Sequence, residues 1–125
     1  MKKLTQTILL EDPQGRQGNC WQTAIASVLD LELEEVPHFA QIDVDDGEHW
    51  WIGTWNWLQD RDMTLTPIRD HLYNDEYYLV TGPSPRNPDL AHVVVYQNGM
   101  MVHDPHPDGT GVLEVKHLEV IRKKD

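Results

Sequence analysis

The sequence predicts an α+β domain in which an N-terminal helix packs on an antiparallel β-sheet. Apolar residues after Cys20 recur at helical spacing, at Ala24, Ile25, Val28 and Leu29. Two apolar runs, Val93-Val94-Val95-Tyr96 and Met100-Met101-Val102, flank Gln97-Asn98-Gly99 and read as a hairpin. A chain of 125 residues with 39% hydrophobic content can build one core, and no repeat or low-complexity segment divides it. Residues 1–125 therefore read as a single compact domain.

In chain order, Leu4 to Leu10 alternates polar and apolar residues well enough for a first strand, broken by Glu11-Asp12-Pro13. A helix then starts at Cys20, with Asn19 as its N-cap. Asp30 to Glu35 is acidic with Leu31 and Leu33 interleaved, and Val36-Pro37 begins or bounds a further helical turn. Asp43 to Glu48 reads as an acidic loop. Its glycine stands fifth from Asp43 and its twelfth position is Thr54, which departs from an EF-hand. His49 to Leu58 reads as a helix with Trp51, Trp55 and Leu58 on one stripe and Trp50 and Trp57 on another; most of this aromatic area is expected in the core, and one or two rings could wall a cleft. Met63 to Ile68 and Glu76 to Thr81 are strand candidates with a turn at Asn74-Asp75. The proline-rich run from Gly82 to Asp89 is a stiff loop and a candidate cleft rim. After Gly109-Thr110-Gly111, Val112 to Ile121 supplies a final strand or two.

The chemistry starts at Cys20, the only cysteine. A single thiol cannot form an internal disulfide, and a thiol at a helix N-terminus gains thiolate character from the aligned backbone dipoles. Free cysteine is also among the most buried residue types, so a core role is the competing reading. Gln14 lies six residues earlier, and Gly15 and Gly18 let the backbone turn its amide back toward the thiol. With the Cys20 N–H, that amide would make a pair of donors for a developing oxyanion.

A cysteine nucleophile needs a base, and the base needs a partner that orients it. Of seven histidines, His92 is best placed, at the head of the first hairpin strand. A two-residue Asn98-Gly99 turn would set Val93 opposite Asp104 and put His92 and Asp104 on opposite faces. A three-residue Gln97-Asn98-Gly99 loop with a glycine bulge instead pairs His92 with Asp104, whose Cβ atoms would then lie roughly 4.5–5.5 Å apart. The bulged turn is therefore expected.

The run Gln14-Gly15-Arg16-Gln17-Gly18-Asn19-Cys20-Trp21 resembles the nucleophile region of papain-like cysteine peptidases. The order Cys20, His92, Asp104, with Asp104 before Pro105, is similar to that of transglutaminase-like and C39-like relatives. Glu35-Val36-Pro37-His38-Phe39 and His103-Asp104-Pro105-His106-Pro107 are similar to recurring motifs of small uncharacterised bacterial and phage proteins. The resemblance implies a papain-like fold. It also implies a Cys20–His92–Asp104 triad aided by Gln14, acting as hydrolase or acyl transferase on an amide, isopeptide or thioester bond without a cofactor. Trp21, Arg86, His103 and His106 are the candidate substrate-binding residues, the partner being a peptide, protein or small amide.

Ten basic against 21 acidic residues give a net charge of −11, which disfavours nucleic acid and anionic lipid as partners and favours solubility. The polar N-terminus and the lack of a long apolar run suggest a cytoplasmic protein, which a single unpaired cysteine suits. No oligomerisation signature is read. Two rivals stand beside the enzyme reading. One is a papain-like binding module without turnover, marked by a thiol no faster than a free one. The other is a metal-dependent hydrolase built on His103, Asp104, His106 and Asp108, although Pro105 and Pro107 keep these off one helical face and no metal motif fixes their geometry.

Overall fold

Helix α1 (Cys20–Leu29) forms where the sequence places it, and its buried face carries Trp21, Ala24, Ile25 and Ala26. Two hydroxyls on that face are also fully buried, and each returns its hydrogen to the backbone one turn back: Thr23 Oγ1 to Asn19 O at 2.7 Å and Ser27 Oγ to Thr23 O at 2.8 Å. The helix stops at Asp30, which adopts φ 57° and donates its N–H to the last carbonyls. These elements belong to a computed structural model that describes residues 1–9, 12–71 and 73–124.

A 3-10 turn (Leu33–Glu35), closed by reciprocal bonds between Glu32 and Glu35, leads to α2 (Phe39–Asp46) and α3 (Trp50–Gln59). Five strands follow: β1 (Met63–Ile68), β2 (Tyr78–Pro83), β3 (Ala91–Gln97), β4 (Met100–His103) and β5 (His117–Lys123). They form one sheet in the order β1-β5-β2-β3-β4, with every neighbouring pair antiparallel. The fold is thus mixed α+β, as expected.

Strand alternation splits the core between the two faces of this sheet. Leu65, Leu79, Val93 and Val95 meet Trp21, Ile25, Phe39 and Leu58 from the helices. Tyr78, Val80, Val94, Leu118 and Val120 bury the other face under Ile68, Tyr96 and Val112. Burial on both sides explains why β3 reads as an unbroken valine run rather than an alternating one. Among the described residues no helix is long and apolar enough to cross a membrane.

Several expectations need correction. Residues 4–9 form no strand, while Leu10 and Glu11 lie outside the described residues. The backbone donors of this segment go elsewhere: Leu4 N–H to Ser27 Oγ, Gln6 N–H to Pro105 O, and Thr7 and Ile8 N–H to Asn19 Oδ1. Asp43–Asp46 belongs to α2, which ends at Gly47 with φ 75°, rather than to a loop. Strand β2 starts two residues later than expected and β5 five residues later, the stretch from Val112 to Lys116 being non-strand. In α3 the buried positions are Gly53, Thr54 and Leu58, whereas Trp55 is 39% exposed, so Trp51, Trp55 and Leu58 do not act as one stripe.

The hairpin turn is also not the one expected. Asn98 and Gly99 form a two-residue turn with φ 53° and 77°, pairing Gln97 with Met100 and Tyr96 with Met101. Two left-handed residues in sequence suit the right-handed twist of the flanking strands. The irregularity sits deeper: Val95 pairs with His103, which leaves Val102 as the extra residue of β4.

Gly82 lies opposite His92 in the sheet, and the segment between Gly111 and His117 crosses directly over it. A Cβ there would stand 1.8 Å from Glu114 O. Gly82→Ala is expected to destabilise the fold by about 3 kcal/mol in denaturant unfolding, because backbone must move to admit the methyl group. Gly109→Ala, with φ 66° but nothing within 4 Å, should cost only about 1–2 kcal/mol.

Candidate functional site

Asn19 occupies the N-cap position of α1, as expected, but its side chain makes no cap bond. It is 2% exposed and faces the N-terminal segment instead. Its Oδ1 accepts the Thr7 and Ile8 N–H groups at 3.0 and 2.9 Å, and its Nδ2 donates to Thr7 Oγ1 and Gln22 Oε1. From the other side, Gln17 is pinned by α2: its N–H donates to Gln41 Oε1 at 2.8 Å and its carbonyl accepts from His38 Nε2 at 2.8 Å. This gives the Val36-Pro37-His38-Phe39 run a physical role, which is to hold the loop that ends at Cys20.

Cys20 is half-buried and lines a cavity of about 290 Å³ together with His92, Trp21, Trp50, Gln6 and His106. His92 Nε2 donates to Asp104 Oδ1 at 2.7 Å, with side-chain exposures of 4% and 2%. That leaves Nδ1 on the side away from Asp104, and Cys20 and His92 line the same cavity. Burial by itself would lower the His92 pKa. The bond to Asp104 and the neighbouring Cys20 outweigh it and raise the pKa to about 9. Burial would likewise push the Asp104 carboxyl up, but the bond from His92 and the N–H groups of Gly111 and His106 hold it below its ordinary value.

The pair forms although the turn that was expected to create it is absent. β4 ends at His103, so Asp104 stands just past the strand and is not bound by the pleat. Its Oδ1 also accepts His106 N–H at 2.9 Å and its Oδ2 accepts Gly111 N–H at 2.8 Å. These bonds aim the carboxylate at His92 from the loop.

Of the eight sequence candidates, Cys20, His92, Trp21, Arg86 and His106 line the cavity, and Asp104 stands behind His92. Trp21 is nonetheless mainly a core residue, 7% exposed, donating Nε1–H to Thr54 Oγ1 at 2.9 Å. Arg86 is held by Asp108 at 2.9 Å rather than left open for a substrate carboxylate. His106 packs edge-on to His92 with ring centroids 6.3 Å apart, and burial followed by the Arg86 charge lowers its pKa. His103 does not line the cavity: its Nε2–H donates to Leu4 O at 2.6 Å. Gln14 is exposed and does not line it either, because its loop folds on Asp12, which accepts the backbone N–H groups of Gln14 and Arg16.

The amide inside the cavity belongs to Gln6, 8% exposed. Its Nε2 donates to Ile8 O at 2.9 Å and keeps a second N–H, while its Oε1 is buried without a partner. Sequence spacing could not find Gln6, which lies 14 residues before the thiol in a segment that reads as a strand. Among the described residues, no group of three or more His, Cys, Asp or Glu side chains is arranged to hold a metal ion.

No family model, curated protein or solved structure matches the chain. The site must be argued from its own geometry.

Asn19→Ala would strand two backbone N–H groups beneath the nucleophile helix. It is expected to lower stability by about 2–4 kcal/mol and to speed hydrogen exchange at the Thr7 and Ile8 amides more than at the β3 amides. Equal protection at Thr7 and Ile8 in both proteins would exclude Asn19 as the anchor of the segment.

Proposed function

We propose that this chain is a papain-like cysteine hydrolase or acyl transferase acting on an amide, isopeptide or thioester bond. One observation carries the reading: a thiol at the first residue of a helix shares one cavity with a buried imidazole whose Nε2 is fixed by a buried carboxylate.

The reaction follows from these roles. His92 takes the Cys20 thiol proton, and Cys20 Sγ attacks the carbonyl carbon as thiolate, forming a C–S bond as the carbonyl π electron pair moves to oxygen. That oxyanion meets the Cys20 N–H and the unused N–H of Gln6, which takes the part expected of Gln14. Collapse breaks the bond to the leaving group, and protonated His92 gives the leaving atom its proton. Water or an amine then attacks the thioester carbonyl while His92 accepts its proton, and collapse breaks the C–S bond, releasing Cys20 as thiolate beside protonated His92 and yielding hydrolysis or acyl transfer. Asp104 keeps Nε2–H directed to itself and Nδ1 toward sulfur throughout.

The pH dependence has a definite sign. His92 stays protonated until about pH 9, well above the ordinary 6.5. Any stability drawn from its pairing is full below about pH 6.5 and fades as pH rises through 9. Alkylation of Cys20 by iodoacetamide should already be fast near pH 6 and fall by about tenfold or more in His92→Ala, with a smaller loss in Asp104→Asn. Turnover of an amide or thioester substrate should decline above about pH 9, where the acid is lost. A profile that follows an ordinary thiol and ignores both substitutions would rule out the triad and favour a binding module.

The oxyanion assignment separates two glutamines. Gln6→Ala should reduce kcat by about 10²-fold at nearly constant KM, and Gln14→Ala should leave both unchanged. The reverse result would return the role to Gln14.

A further inference from the structure

The cavity beside Cys20 does not end at Trp50. A second one, of about 620 Å³, opens on the far side of that ring, and the two share Trp50, Thr81 and Ala91 as common wall. The Thr81 hydroxyl is buried at this junction with no hydrogen-bond partner.

The two compartments differ in chemistry. The second has apolar walls from Trp51, Pro67, Ile68 and Leu118, and its cations are Arg69 and Lys116, with His117 beside them. All three residues are exposed. Among the described residues Arg69 forms no ion pair, and Lys116 holds only the exposed Glu114. The one carboxyl group in the lining, Glu119, accepts the Trp51 indole N–H, and burial raises its pKa. In a chain of net charge −11, this compartment gathers basic side chains around an apolar floor.

We propose that the second cavity is a substrate subsite that takes an acidic peptide segment, with an apolar side chain on the Trp51 floor and a carboxylate toward Arg69 and Lys116. The proposal rests on the Cys20 reaction described above, and it narrows the substrate class to peptides or peptide-like amides carrying negative charge a few atoms from the scissile carbonyl.

The test uses chloroacetyl-Gly-Phe-Asp and chloroacetyl-Gly-Phe-Lys as Cys20 alkylating probes, each rate divided by that of iodoacetamide on the same protein to cancel changes in the thiol itself. The acidic probe should be about three- to tenfold faster on the unmodified protein, and the preference should invert in Arg69→Glu/Lys116→Glu and shrink at high salt. Equal rates, or a preference that survives the charge reversal, would overturn the subsite. Tryptophan fluorescence titration of Cys20→Ala with acetyl-Gly-Phe-Asp and acetyl-Gly-Phe-Lys reads the same preference without the thiol. If Cys20 proves unreactive, the catalytic reading fails and this titration still decides the subsite: tighter acidic binding upholds it, and indifference to charge overturns it.

Discussion

The carboxylate of Asp104 is the constraint on which the site depends. It is almost fully enclosed, and an enclosed charge is costly unless every lone pair is used. Three donors from three stretches of chain meet it: His92 from β3, His106 from the turn beyond Pro105, and Gly111 from the loop returning to β5. The single carboxylate therefore closes the loop after β4, fixes the imidazole and joins the edge of the sheet to the strap crossing Gly82. Loss of the charge would release all three at once, so imidazole orientation and loop closure are properties of one hydrogen-bonded centre.

A second set of bonds explains why the N-terminal segment enters the site. It runs between the nucleophile helix and the Asp104 turn and is tied to both: to Asn19 and Ser27 on one side, to Pro105 O and His103 on the other. Such lacing leaves Gln6 between Cys20 and the turn, with its amide enclosed. Gln14 sits in the outer loop, where Asp12 collects the Gln14 and Arg16 N–H groups and the Arg16 guanidinium. Bonding to Arg16 lowers the Asp12 pKa to about 2, which keeps this loop organised around an ionised carboxylate near neutrality. Two glutamines of one chemistry thus differ because one segment is laced inward and the other folds on itself.

Much of this was legible in the sequence wherever the signal was local and periodic. The helix from Cys20, the tryptophan helix, β1 and the valine strand all follow from side-chain spacing, and the His92–Asp104 pair follows from placing both on one hairpin. What failed depended on distant partners. Leu4 to Ile8 alternates like a strand, yet no sheet edge receives it, because its donors are taken by Asn19 and by the turn after Asp104. Asn19 takes the N-cap position as its residue type suggests, but its side chain is drawn to the same segment instead of capping the helix. The hairpin turn was misread because the two-residue Asn98-Gly99 geometry was treated as fixing register along the whole strand. The extra residue at Val102 and the end of β4 at His103 free Asp104 from that register.

The tryptophans show how a core requirement becomes a property of the cleft. Trp21 Nε1 donates to Thr54 Oγ1 at 2.9 Å, and that hydroxyl donates to Trp50 O at 2.6 Å, so α1 and α3 are joined by a buried relay. The two rings meet edge to face with centroids 4.9 Å apart. An indole locked by packing on one ring and by hydrogen bonding through the other has little rotamer freedom to lose when a ligand arrives. The wall facing His92 is therefore preorganised by the same contacts that fill the core. Charged side chains gather instead on the outer loops, where Arg86 bridges to Asp108 across the segments flanking His92 and Asp104. The spacing between imidazole and indole is thus tied to core contacts, while the loops outside them are held by ion pairs at the surface.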